Sequence, residues 1–124
     1  MSAPELKSFQ ITPVFHVTDL TAAIRFYSDV FGFAEVFSWG RPPFYAGIRL
    51  ADVTIHLNSA ASAADRRGKG SAYVFVAHGL EDYHNHVMAR GAILVGDPPK
   101  RYDYGLKDVK YADPDGNWLS FGAT

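Results

Sequence analysis

The chain has 124 residues, a formal net charge of −1, 48% apolar and 15% aromatic residues, and no cysteine. That length suits one ordinary domain, and the apolar content is enough for a packed core. The near-neutral charge argues against a nucleic acid or an anionic membrane as a partner. The lack of cysteine excludes disulfides, thiolate zinc sites and cysteine nucleophiles. Because no apolar run could span a membrane and the N-terminus lacks a signal-peptide pattern, we expect a cytoplasmic protein.

The first half of the chain predicts the order strand, helix and three strands. Residues 9–17 are rich in β-branched and aromatic side chains, which is typical of a strand. Asp19 can cap a helix whose apolar positions recur at helical spacing from Leu20 to Val30. Gly32 can end that helix in a left-handed conformation. Further strands are predicted over residues 34–39, 44–50 and 53–58, with a tight hairpin at residues 51–52.

Residues 60–70 hold small and charged side chains, which predicts a linker or a solvated surface loop. After them the same order of elements returns. A strand is predicted over residues 72–77, and Leu80, Tyr83 and Val87 form one stripe of a helix that Gly91 ends. Strands are predicted over 93–95, around 101–104, and over 107–112 and 118–121, and Asp-Pro-Asp-Gly at 113–116 is a turn sequence.

The two halves match each other in the order of their elements. An offset of 59 residues places Val17 on Val76 and Gly32 on Gly91, which indicates duplicated βαβββ modules. We therefore predict an α+β fold of two βαβββ modules that form a cleft. A single domain spans residues 1–124, with module one at about 9–59, a linker at 60–70 and module two at about 71–122. Modules can pair within one chain or by exchange between two chains.

Two short motifs, together with the repeat, carry a resemblance to a known family. The first is Val-Thr-Asp-Leu at 17–20, with Phe-Tyr at 26–27 and Phe-Gly-Phe at 31–33; the second is Asp-Pro-Asp-Gly-Asn at 113–117 before an apolar strand. From about Thr12 to Phe121 the chain resembles the vicinal-oxygen-chelate superfamily of glyoxalases, bleomycin-resistance proteins and dioxygenases. Its short length and residues 42–45 and 55–57 are most similar to the bleomycin-resistance-like branch.

The metallo-enzymes of this superfamily hold a divalent metal on the concave face of the cleft. The resemblance places the four ligand positions on Thr12, His56, Ala72 and Ser120. Only His56 can bind a metal tightly, whereas a catalytic divalent site needs about three protein ligands. We therefore expect no metal at the inherited site, no cofactor and no catalytic residue. A displaced site built from His16, His56 and His78 is the alternative, although His16 lies about 13 Å along the strand from the inherited position.

A cleft without a metal is expected to bind a small molecule. Flat rings offer contact area to an aromatic ligand and cation–π contact to a cationic one. The predicted ligand-binding residues are His56, Trp39, Phe44, Tyr45, Arg49, Tyr102, Tyr104 and Trp118. Packing in the core is the alternative role of these rings, and a hydrogen bond within the protein is the alternative role of His56.

The leading functional prediction follows from the resemblance to the bleomycin-resistance branch, whose proteins hold an antibiotic in clefts at a dimer interface. We predict a homodimer that binds a bleomycin-type antibiotic without metal and confers resistance by sequestration. One alternative is an enzyme: a metal-dependent lyase, isomerase or dioxygenase with atypical ligands, or a metal-free enzyme that uses His56 as a general base. Another is a structural domain with a vestigial cleft.

Overall fold

Both halves of the chain fold with the predicted order of strand, helix and three strands. The computed structural model describes residues 3–7 and 9–124. Module one contains β1 (Val14–His16), α1 (Leu20–Phe26), a π-helical turn (Tyr27–Phe31), β2 (Ala34–Gly40), β3 (Pro43–Leu50) and β4 (Val53–Asn58). A 3-10 turn (Ala61–Arg66) leads to module two, which contains β5 (Ser71–Phe75), α2 (Leu80–Ala89), β6 (Ile93–Arg101), β7 (Lys107–Ala112) and β8 (Trp118–Ala123).

Each module forms one four-stranded sheet, and the two sheets have the same topology. The strand order is β1-β4-β3-β2 in the first sheet and β5-β8-β7-β6 in the second. The strand before the helix pairs in parallel with the last strand of its module, and the remaining pairs are antiparallel. The predicted α+β fold of two βαβββ modules is therefore confirmed. Within this part of the chain no helix is long and apolar enough to cross a membrane.

The first helix begins and ends where its local sequence predicts. The Asp19 side chain accepts a hydrogen bond from the Ala22 amide at 3.0 Å, which satisfies one of the free N–H groups of the first turn. Gly32 ends the helical segment with a φ of 90°, a conformation that costs glycine little because it has no Cβ. Phe31, in the last turn, is thereby held with its ring 5.6 Å from that of Tyr111 and 6.3 Å from that of Phe121.

These ring contacts show that the two sheets share one hydrophobic core. One side of each sheet is buried in it, with Ala46, Ile48, Ile55 and Leu57 from the first sheet and Val109, Tyr111, Leu119 and Phe121 from the second. The strand alternation that buries these side chains turns their neighbours outward. Each sheet consequently has an exposed face that points away from the shared core.

The predicted boundaries are wrong in three places. The first strand covers only Val14–His16, and residues 9–13 have no regular secondary structure. The side chains of Phe9 and Ile11 are 76% and 95% exposed. The sixth strand covers Ile93–Arg101 instead of stopping at residue 95, and residues 102–105 form a turn where a strand around 101–104 was predicted. The sixth strand contains two prolines, which an edge strand tolerates because it needs no donor on its outer side.

The segment predicted as a linker is docked against both modules. The Gly68 amide donates to the His16 carbonyl at 3.1 Å, and the Gly70 amide donates to the Asn117 side chain at 2.8 Å. A Cβ built on Gly70 would lie 2.7 Å from the Phe15 ring. The small residues of this segment therefore allow it to approach both modules of the chain closely, and it does not span freely between them.

Candidate ligand-binding site

The exposed face of the first sheet carries a compact group of rings around His56. The Tyr45 hydroxyl lies 2.9 Å from His56 Nδ1. The Phe37 ring meets the His56 ring edge to face at 5.3 Å and stacks on the Tyr45 ring at 6.4 Å. The hydrogen bond at Nδ1 fixes the orientation of the imidazole and leaves Nε2 for another partner. Tyr45 and His56, both predicted site residues, are thus brought together.

The other predicted residues of the first module lie elsewhere on the sheet. Trp39 and Phe44 form an edge-to-face pair at 5.3 Å near the tip of the β2–β3 hairpin, and Trp39 is 67% exposed. Arg49 was expected to make a polar contact with a ligand, but its Nε donates to the Ala51 carbonyl at 2.9 Å. The guanidinium therefore supports the β3–β4 turn instead of the ring group.

The exposed face of the second sheet forms the floor of a cavity of about 690 Å³. Its lining includes Tyr73, Tyr102, Tyr104, Asp108 and Lys110. The rings of Tyr102 and Tyr104 stack in parallel, with centroids 5.5 Å apart and planes inclined by 1°. The hydroxyls of Tyr73 and Tyr104 both donate to Asp108 Oδ2, at 3.1 Å and 2.6 Å. The carboxylate therefore links a strand at one edge of the sheet to the turn after β6.

The two tyrosines bonded to Asp108 keep their protons over the physiological range. Burial, followed by the hydrogen bond to Asp108, raises the pKa of Tyr73 to about 12. For Tyr104 the hydrogen bond to Asp108 is the main cause, and its pKa is also raised to about 12. Because the phenolate would face a carboxylate, the neutral donor is the favoured form. The cavity wall is consequently neutral at both rings, with its negative charge on Asp108.

On each exposed face an aromatic ring crosses a middle strand of the sheet. A glycine at the crossing point leaves room for the ring. Tyr73 on β5 reaches Asp108 on β7 by passing over Gly122 on β8, where an added Cβ would overlap the tyrosine hydroxyl. In the first module Phe37 on β2 reaches His56 on β4 over Gly47 on β3, where a Cβ would overlap the ring. Neither glycine has a positive φ, so their role is to leave space.

Trp118 is on the exposed face, as strand parity predicts, but its ring is not free on both sides. The ammonium of Lys110 lies 4.2 Å from the centroid of the indole ring. The ring is 43% exposed. A ligand cation could therefore use only the part of the indole that Lys110 does not cover.

The inherited metal positions do not converge on a ligand set in this chain. Thr12 precedes β1, and Ala72 packs towards the core beside Leu119, whereas Tyr73 is the residue in register with Ser120. Ala72 also borders the cavity, but its methyl side chain cannot bind a metal. Among residues 3–7 and 9–124 no group of three His, Asp or Glu side chains is placed to hold a metal. The displaced set of His16, His56 and His78 is therefore not assembled within one chain.

Sequence reasoning missed the residues that organise both faces. Phe37, Tyr73 and Lys110 were not among the predicted site residues, and neither were Gly47 and Gly122. A usable signal was present: each glycine interrupts a β-rich run at an outward position, which is typical of a strand that another group crosses. The partner of each glycine depends on strand register, which the sequence does not give.

Comparisons with known proteins agree with this architecture. The family model for the Glyoxalase/Bleomycin resistance protein/Dioxygenase superfamily matches residues 11–121. No curated protein sequence is significantly similar to the chain. A bleomycin resistance determinant encoded on the transposon Tn5 has a similar structure, with 18% identity, a TM-score of 0.77 and coverage of 94% of this chain and 98% of that chain.

Two further solved structures are similar over nearly their whole length. One is the bleomycin-binding protein from bleomycin-producing Streptomyces verticillus, complexed with copper(II)-bleomycin (23% identity, TM-score 0.73, 97% of this chain and 99% of that chain). The other is a glyoxalase / bleomycin resistance protein from Catenulispora acidiphila (21% identity, TM-score 0.74, 94% and 99%). At these identities the structural similarity establishes the fold alone. Because the family model matches residues 11–121, this chain belongs to the glyoxalase/bleomycin resistance protein/dioxygenase superfamily.

Proposed function

We propose that this protein binds and sequesters a small, partly aromatic molecule of the bleomycin type without a metal, as a cytoplasmic homodimer. The cavity on the second sheet carries the proposal. Its volume of about 690 Å³ lies in the range of small-molecule sites. Its wall offers stacked tyrosine rings and a carboxylate, which suit a ligand that is flat and bears a positive charge. The similarity in fold to bleomycin-binding proteins supports the same ligand class.

In the proposed dimer, the exposed faces of the two subunits cover each other. In one chain the described hydrogen bonds and ring contacts join no side chain of the first exposed face to one of the second. Large apolar side chains remain exposed on both, among them Trp39 at 67% and Phe75 at 75%. Exposed apolar patches of this kind are typical of interfaces. A second copy that places its first sheet over the second sheet of its partner would cover both and enclose the cavity.

The test is titration of the purified protein with metal-free bleomycin, followed by tryptophan fluorescence. The chain contains two tryptophans, and Trp118 lies on the sheet that carries the cavity. We expect a saturable change at micromolar ligand that Trp118→Phe abolishes and Trp39→Phe largely retains. The mass in solution should be that of a dimer, and elemental analysis should give a metal content near zero. No fluorescence change at micromolar bleomycin would contradict the proposal.

An enzyme is the second candidate, and the pairing of Tyr45 with His56 favours it. A general base needs a group that orients it, and the tyrosine hydroxyl 2.9 Å from Nδ1 supplies one. His56→Ala separates the two functions. A binding protein should lose at most about 1–2 kcal/mol of ligand affinity, the worth of a hydrogen bond, whereas an enzyme would lose nearly all turnover. A stoichiometric divalent metal in the purified protein would also favour the enzyme.

A further inference from the structure

The cavity on the second sheet contains two opposite charges that are not neutralised by an ion pair. Asp108 accepts hydrogen bonds from two neutral tyrosine hydroxyls, and the Lys110 ammonium rests on the Trp118 ring. The ion pairs found in the part of the chain that the structure describes are those of Lys100 with Asp97 and of Lys107 with Glu81. Asp108 and Lys110 thus both line the cavity with their charge available to a ligand.

The two charges are held apart on the same face of the same strand. Asp108 and Lys110 are two positions apart on β7, so their Cα atoms are separated by about 7 Å. Lys110 is in register with Ser120, and Trp118 lies one further step along, in register with Ala112. The Lys110 ammonium lies over the Trp118 ring, so it contacts the indole and not the Asp108 carboxylate.

Aromatic rings border the cavity beside the two charges. The ring of Tyr73 crosses Gly122 beside Asp108, and Ser120 lies between Lys110 and Tyr73 in one row across the sheet. The stacked pair of Tyr102 and Tyr104 borders the same cavity. A planar segment fits such a surface, since aromatic side chains contact flat rings with little loss of side-chain freedom.

We propose that the ligand of this site is an amphoteric molecule, with a cationic group at Asp108, an anionic group at Lys110 and a flat apolar segment between them. The inference rests on the proposed binding function and adds the charge pattern of the ligand. A ligand with only a cation would leave the Lys110 ammonium without an anionic partner. An α-amino acid, whose two charges are close together, is too short to reach both groups.

The experiment compares four small probes by titration calorimetry with the full chain. The amphoteric probe is 4-(aminomethyl)benzoate, which has an ammonium and a carboxylate at opposite ends of one ring. 4-Methylbenzylamine and 4-methylbenzoate each retain one of the charges, and phenylalanine carries both charges at one end. We expect the amphoteric probe to bind at least about tenfold more tightly than the other three, because each charge-assisted hydrogen bond is worth about one order of magnitude in affinity or more.

Two variants test whether Asp108 binds the ammonium of the probe and Lys110 its carboxylate. Asp108→Asn should weaken binding of the amphoteric probe and of 4-methylbenzylamine, with little effect on 4-methylbenzoate. Lys110→Gln should weaken the amphoteric probe and 4-methylbenzoate, with little effect on the amine. Asp97→Asn is the matched control, because Asp97 lines the same cavity but is already paired with Lys100, and it should preserve the order of the four affinities. A thermal unfolding curve for each variant verifies that it folds.

Three outcomes would overturn the inference, and they differ in whether the proposed binding function survives. If 4-methylbenzylamine binds as tightly as the amphoteric probe, and Lys110→Gln changes neither, the site binds cations alone and the proposed binding function stands. If none of the probes binds while metal-free bleomycin does, the charge pattern is wrong and the binding function again stands. If neither the probes nor bleomycin bind, both proposals fall together.

Discussion

The Tyr27 hydroxyl donates a hydrogen bond to Asp113 Oδ2 at 3.0 Å, across 86 positions of sequence and from one module to the other. Both residues are buried, with exposed fractions of 1% and 3%. Asp113 Oδ1 also accepts the Asn117 and Asp115 amides at 2.9 Å, so this carboxylate organises the turn between β7 and β8. The bond therefore fixes the π-helical turn that follows α1 in module one against that turn of module two.

Removal of the Tyr27 hydroxyl should destabilise the protein without creating a large cavity in the core, because the ring is retained. We expect Tyr27→Phe to lower the free energy of unfolding by about 1–3 kcal/mol, the worth of a buried hydrogen bond to a charged group. Asp113 Oδ2 keeps its bond from the Asn117 side chain at 2.9 Å, which limits the loss. Urea unfolding measures the difference. Tyr104→Phe is the comparison, because it removes the same group, also bonded to a carboxylate, from a side chain that is 63% exposed, and its effect should be smaller than that of Tyr27→Phe.

Alkaline pH should destabilise the fold through its buried tyrosines. Burial, and for Tyr27 the adjacent Asp113 carboxylate, raises the pKa of Tyr27, Tyr83 and Tyr111 well above the usual value. The unfolded chain loses these protons from about pH 10 upward, while the folded chain retains them. Stability is therefore complete below pH 10 and falls as the pH rises, by about 1.4 kcal/mol per pH unit for each tyrosine held neutral.

The measurement is urea unfolding at a series of pH values between 8 and about 11.5. In Tyr27→Phe the fall in unfolding free energy per pH unit above pH 10 should be smaller by the contribution of one tyrosine. An unchanged slope would mean that Tyr27 ionises in the folded state as readily as in the unfolded chain.

The fold was predictable because its signals are local and repeated. Asp19 and Gly32 mark the ends of a helical segment by their own chemistry, and the stripe of Leu80, Tyr83 and Val87 lies on the core side of α2 as its spacing indicates. The alternation in β3 and β4 also gave the exposed face correctly. Such features depend on neighbours within a few residues, so one sequence is enough to identify them.

The site was less predictable because it depends on strand register and on contacts between distant residues. The resemblance places a site position on Ala72, whereas the residue in register with Ser120 is Tyr73, and a shift of one position reverses the face of every side chain in a strand. Trp118 was correctly placed on the exposed face, yet nothing in the sequence indicates that Lys110 covers its ring. The link of Tyr104 to Tyr73 through Asp108 joins two segments whose proximity only the folded chain defines.

Mild acid should weaken the packing between α2 and the second sheet through His84. His84 Nδ1 lies 2.7 Å from the Tyr111 hydroxyl, and burial lowers the pKa of His84. The unfolded chain binds a proton below about pH 6.5, whereas the folded chain resists it. The stability that His84 contributes is present above pH 6.5 and is lost as the pH falls.

Replacement of His84 by Gln should remove this part of the pH dependence. Unfolding free energies at pH 7.5 and about 5.5 should differ less in His84→Gln than in the natural chain. His86→Gln, two positions along the same helix on an exposed side chain, should keep the full difference. An equal pH dependence in all three proteins would contradict a role for His84.

The space left by the two middle-strand glycines should be measurable as a coupling between each glycine and the ring that crosses it. Gly122→Ala forces the Tyr73 ring off the strand and breaks its bond to Asp108, because the new Cβ would overlap the hydroxyl. We expect this variant to lose about 1–3 kcal/mol of stability, as overpacked sites do. In a Tyr73→Ala background the same change meets no ring, so its effect should be within about 0.5 kcal/mol of zero.

A second double-mutant cycle in the other module tests whether the arrangement is a property of both exposed faces. Gly47→Ala should displace Phe37 from its contact with His56 and should be harmless once Phe37→Ala has removed the ring. Unfolding free energies of the four proteins in each cycle give the coupling, and bleomycin affinity shows whether the ring positions matter for binding. Additive effects in either cycle would mean that the ring does not lie over its glycine, because residues without a shared contact do not couple.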